Sequence, residues 1–170
     1  AALSYAQTFL LYHSSMIFKR YTFSMNIFFT PTAIISGAVV AFFVGLAWYS
    51  PILFRKAWLK GEGLTEEQLP KRSNRYRMQV AIYALLSHGC IAAVLAFIFD
   101  IIEVSTLQMA VSLSLLLTLG LIVSTRFIDM IYTTQGTHWE LRAQIKFLVS
   151  SAYYLVISSI IASVLFFATR

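Results

Sequence analysis

His88 is the side chain of this sequence best placed to do chemistry, because it stands in an uncharged apolar run beside Ser87 and Cys90, where an ionisable group is costly unless it has a task or a partner. A haem or metal ion would need further ligands. His13 and His138 fall on opposite faces of the topology derived below, and no carboxylate lies inside an apolar run. The single cysteine, Cys90, allows neither an intrachain disulfide nor a cysteine cage. The expectation for His88 is a neutral, hydrogen-bonded imidazole between helices, with a proton relay as the alternative. Arg126 and Asp129, three residues apart at the end of an apolar run, can meet on one helical face, and an ion pair between them would lower the cost of both at a membrane boundary. Asp100 and Glu103 mark a solvated turn. Ser36, Ser50 and the later serines have no histidine and carboxylate at a recognisable spacing. Nor does the sequence carry a nucleophile elbow, a phosphate-binding glycine loop, a zinc-protease helix or a dinucleotide fingerprint. No catalytic, metal or cofactor residue is expected, and an enzyme is the least favoured class.

The elements that position these residues follow from composition. Of 170 residues, 59% are apolar and 12% charged, against about 45–50% and about 25% in soluble domains. That excess excludes a soluble globular protein and points to an all-α integral membrane protein. Four transmembrane helices are expected at about 32–49, 78–99, 106–125 and 145–168, joined to interfacial amphipathic helices. Thr30 is placed to cap the first, with Pro31 at its first position. Pro51 to Lys60 reads as a short interfacial helix, with Trp58 at headgroup depth and Arg55, Lys56 and Lys60 facing lipid headgroups. Within the polar stretch Gly61 to Arg77, Thr65 and Gln68 have capping-box spacing for one turn before Pro70. The third span can run on past Arg126 and Asp129 into the interface. Gly37, Ala41 and Gly45 form a small-residue stripe suited to helix packing, inside the protein or with a partner, and Ser151 or Ala152, Ser158 or Ser159, and Ala162 or Ser163 form a second.

Net charge is +6, and the basic residues lie beside the apolar runs, which reads as topology rather than as nucleic-acid binding. With four crossings, ten of the 13 Lys and Arg fall in the first and third loops, whereas Lys19, Arg20 and Arg170 face the other way. The positive-inside rule then places both loops in cytoplasm or organelle matrix and both termini opposite. Phospholipids, cardiolipin among them, are expected partners of the basic loop at 55–77.

Residues 1–24 divide from a domain of residues 25–170. The segment is too rich in Ser, Thr, Gln and His for a convincing span, and reads as interfacial, with a fifth span as the alternative. It lacks acidic residues and ends in Lys19-Arg20, features that resemble the remainder of an organellar import sequence. From Met25 onward, Trp48-Tyr49-Ser50-Pro51, Leu53-Phe54, Lys56, Trp58 and Gly61, and then Tyr153-Tyr154-Leu155-Val156, resemble a family of small bacterial four-helix membrane proteins of unknown function. That resemblance implies the four-helix fold and no activity. The expected role is a non-catalytic accessory subunit of a larger membrane complex, with a respiratory-chain or ATP-synthase assembly of the mitochondrial inner membrane as the first setting and a bacterial inner membrane as the second. A small carrier or channel is the alternative, although the spans hold neither a buried acidic residue nor a visible inverted repeat.

Overall fold

A computed structural model describes residues 30–69, 73–133 and 140–169. The interfacial segment expected in residues 1–24, with His13, Lys19 and Arg20, lies outside the described residues, as do Pro70, Lys71, Arg72, His138 and Arg170. Every regular element among the described residues is helical: α1 (Pro31–Trp48), α2 (Arg55–Glu62), α3 (Asn74–Ile102), α4 (Leu107–Leu117), a π-helical segment (Thr118–Val123), α5 (Ser124–Thr133) and α6 (Leu141–Ala168). Among the described residues four rods are long and apolar enough to cross a bilayer: Pro31–Trp48, Asn74–Ile102, Leu107–Tyr132 and Leu141–Ala168.

The ends of these rods follow local chemistry. Thr30 Oγ1 accepts from Ala33 N at 3.4 Å with Pro31 behind it, and Thr106 Oγ1 caps α4 by accepting from Met109 N at 3.2 Å. α3 starts at Asn74, four residues before the expected Met78, because Ser73 Oγ accepts from Tyr76 N and the Arg residues that follow are good helix formers. The third rod runs on through Arg126 and Asp129 to Thr133, the extension expected for it, and α6 begins at Leu141 rather than Ile145 because Leu141, Arg142, Ala143 and Gln144 are all good helix formers. Pro51 does not open a helix: Leu53 N donates to Ser50 O and Phe54 N to Trp48 O, forming a turn that delays α2 to Arg55. In the loop after α2, Gln68 Oε1 accepts from Thr65 N at 2.9 Å, one half of the expected capping box.

Two helices end in Schellman motifs. After α2, Leu64 N reaches Leu59 O and Gly63 N reaches Lys60 O, with Gly63 at φ 70°. After α3, Val104 N reaches Phe99 O and Glu103 N reaches Asp100 O, with Glu103 itself left-handed at φ 55°. The expected acidic turn is thus a tight reversal, and buried Val104 and Phe99 join the core beneath it.

α6 is the hub, touching α1, α2, α3, α4, the π segment and α5. Of its most apolar stretch 44% is buried, against 17% for the third rod, which meets the rest of the chain chiefly through α6. Between lipid-solvated helices there is little hydrophobic drive, so association rests on dispersion at close range. The buried positions Ala33, Ala41, Ala92, Ala96, Ala110 and Ala162 are accordingly small. The stripe of Gly37, Ala41 and Gly45 packs inside the protein. A Cβ on Gly37 would lie 3.4 Å from Ile161 and 3.6 Å from Ala92, so this edge of α1 is held between α3 and α6.

In the π segment, Ser124 N bonds back five residues to Leu119 O. Widening the turn displaces carbonyls that an α-helix would engage. The hydroxyls of Ser124 and Thr125 take up the carbonyls of Gly120 and Leu121.

Candidate aromatic and histidine site

The four-residue segment at the end of α1 and the tyrosine pair in α6 lie about a hundred residues apart in sequence, and they meet around Tyr153. Tyr153 is 7% exposed. Its ring lies 5.2 Å from Tyr49, 5.5 Å from Tyr154, 6.1 Å from Trp48 and 6.2 Å from His88. Trp48 stacks on Phe54 at 4.2 Å, and Tyr49 meets Trp58 edge to face at 6.0 Å, which ties the turn and α2 to the same cluster. Burial raises the Tyr49 phenol above its ordinary value, so it stays neutral across physiological pH.

His88 Nε2 and Tyr153 Oη are 2.7 Å apart. His88 Nδ1 is buried without a well-formed hydrogen bond. The bond between helices matches the packed, hydrogen-bonded histidine expected from sequence. Tyr153 stands in the sequence only as part of the Tyr153-Tyr154-Leu155-Val156 motif, not as the partner of His88. Its signal was depth: His88 and Tyr153 lie 14 and 12 residues into helices that start from the same end, both about 20 Å along at 1.5 Å per residue.

Gly45 completes the contact. A Cβ there would lie 2.7 Å from the Tyr153 hydroxyl, so α1 approaches the pair only where it has no side chain. Tyr153→Phe should remove the bond while keeping the rings, at about 1 kcal/mol by the scale of interhelical hydrogen bonds. Equilibrium unfolding in mixed detergent should show that small loss. A loss above about 3 kcal/mol would mean that the hydroxyl does more than bond His88.

Arg126 Nη2 donates to Tyr154 Oη at 3.2 Å, and its guanidinium sits 5.1 Å over the Tyr154 ring. Asp129, expected as its ion-pair partner, is exposed and lines with Arg126, Lys146 and Ser150 a cleft of about 270 Å³. Ion pairs among the described residues include Arg55 with Glu66 at 2.8 Å and Lys146 with Glu62 at 3.1 Å. Of the residues expected to meet headgroups, Lys56 and Lys60 are exposed on α2, while Arg55 is one-third exposed and engaged by Glu66.

α2 lies directly on α6. A Cβ on Gly61 would fall 2.9 Å from Lys146 N and 3.0 Å from Lys146 Cα. In the sequence Gly61 stands only among the residues that carry the family resemblance, and no spacing within α2 points to Lys146 as its neighbour. Among the described residues no three His, Cys, Asp or Glu side chains gather as metal ligands, and Cys90 is a free, exposed thiol.

A family model described as Protein of unknown function (DUF1761) matches residues 32–166. No curated protein and no solved structure matches the chain.

Proposed function

The chain belongs to this family of unknown function, and from that premise we propose that it is a non-catalytic structural subunit of a larger assembly within a membrane. One observation carries the reading. Three helical glycines, Gly37, Gly45 and Gly61, are explained by close internal contacts, but Gly89 on α3 and Gly120 in the π segment are not: a Cβ at either would meet nothing within 4 Å. Small residues on an outer helix face let another helix approach closely, a gain that lipid tails cannot match. Polar atoms inside the bundle support the same reading, because many of them are spent locally. Ser114, Ser158, Ser159, Ser163 and Thr169 donate to carbonyls of their own helices, which leaves none of these hydroxyl protons to a neighbouring helix.

The mitochondrial inner membrane, with a respiratory-chain or ATP-synthase complex, is the first setting to test, and a bacterial inner membrane the second. In either, the Lys and Arg asymmetry supports basic loops on the matrix or cytoplasmic side. Exposed Lys56 and Lys60 suit anionic headgroups there, cardiolipin included. Native mass spectrometry of the mildly solubilised complex should find this chain in fixed stoichiometry with other subunits. Gly120→Leu, whose first added carbon meets nothing within 4 Å, should release it from them without lowering its own thermal stability. A wild-type chain that runs alone, or a Gly120→Leu variant that stays in the complex, would overturn the proposal.

A further inference from the structure

A cleft of about 540 Å³ opens between α1 and α3, a volume in the range of small-ligand sites. Its walls are apolar, from Phe42 and Leu46 on α1 and Val80 and Ala84 on α3. The inner end is formed by His88 and Tyr153, with Nε2 of one and the hydroxyl of the other bonded together. Arg55 and Arg77 line it at the end where the basic residues gather. From Arg77 to His88 the helix rises about 16 Å, close to the length of an extended acyl chain of a dozen carbons. Arg55 gives one nitrogen to Glu66, but a guanidinium has five N–H donors, so its fork is not exhausted.

We propose that this cleft is a binding site for one anionic phospholipid, its phosphate held by Arg55 and Arg77 and one acyl chain lying against Leu46 and Val80 as far as His88 and Tyr153. Charge and shape select the ligand together: two arginines match a phosphate oxyanion, and the apolar shaft matches a chain. The inference is independent of whether the protein has protein partners.

The test uses the full chain, purified in mild detergent and titrated with palmitoyl-oleoyl phosphatidylglycerol or phosphatidylcholine, with retained lipid read by native mass spectrometry. Each arginine near an anionic headgroup contributes about five-fold, so the first phosphatidylglycerol should be retained roughly 25-fold better than phosphatidylcholine. Arg77→Gln should cut that preference to about five-fold, and Val80→Trp, which fills the shaft, should reduce retention of both lipids. Arg142→Gln, exposed on α6 and outside the cleft lining, should leave the preference unchanged. Equal retention of the two lipids by wild type would overturn the proposal even if every variant misfolded. Loss of preference on replacing Lys56 and Lys60 by Gln, with Arg77→Gln keeping it, would move the headgroup onto α2 and also overturn it. Oleate displacing the phospholipid at equal concentration would assign the cleft to a fatty carboxylate instead.

Discussion

Gly45→Leu should destabilise the protein by about 3–5 kcal/mol, combining overpacking at a helix crossing with the stranding of a buried hydrogen-bonding pair. The first added carbon would fall 2.7 Å from the Tyr153 hydroxyl. Tyr153 cannot easily retreat, because Trp48, Tyr49, Tyr154 and His88 surround its ring. Phe43→Leu, at a position 62% exposed on the same helix, should change stability by less than about 0.5 kcal/mol. A double-mutant cycle sharpens the test. The atom at 2.7 Å is the hydroxyl oxygen, and the next ring atom stands back at 3.5 Å. Gly45→Ala should therefore cost more in the wild type than in a Tyr153→Phe background. If the two costs are equal in reversible unfolding, the hydroxyl is not what excludes a side chain from Gly45.

Gly61→Ala sets two effects of opposite sign against each other. Alanine raises helix propensity by about 1 kcal/mol, which would stabilise α2 if it lay free. Here the new carbon meets backbone atoms of Lys146 at 2.9 and 3.0 Å, and neither helix axis can yield by rotating a side chain. The steric cost wins, so α2 should lift from α6, losing the Glu62 to Lys146 pair and uncovering Leu59, which is 4% exposed. Amide hydrogen exchange over residues 55–62 should speed up at least ten-fold, equivalent to about 1.4 kcal/mol of lost protection. Unchanged or slower exchange would show that propensity decides and that the docking is loose.

The rods themselves were legible because uncharged runs of spanning length have few alternatives, and Thr30 with Pro31 marks a start in any helix. Their ends were less so: Arg75, Arg77, Arg142 and Lys146 look like loop by charge, yet they extend helices whose long side chains reach outward. Which residues meet across helices was legible least. Small residues marked the inner face of α1, but no such stripe was read around His88 on α3, so His88 announced its need for a partner without naming Tyr153. Arg126 illustrates a second obstacle. Spacing offers it Asp129 on the same turn of α5, but the long guanidinium also reaches α6, where it bonds and covers Tyr154, a contact that spacing within one helix does not show.

That α6 is the hub has a consequence for biogenesis. Translation reaches α6 only after the other three spans have been made. α1 and α3 contact each other directly and can associate as soon as both are in the bilayer. The third rod has no such early companion, since its contacts outside itself are chiefly with α6, and until then Arg126 lacks the Tyr154 hydroxyl and ring. For that interval the nascent protein holds an incompletely packed span with a cation near its end, the kind of segment that insertion factors shelter and quality-control proteases recognise. Steady-state abundance, more than the stability of the finished bundle, would then be governed by how promptly α6 arrives.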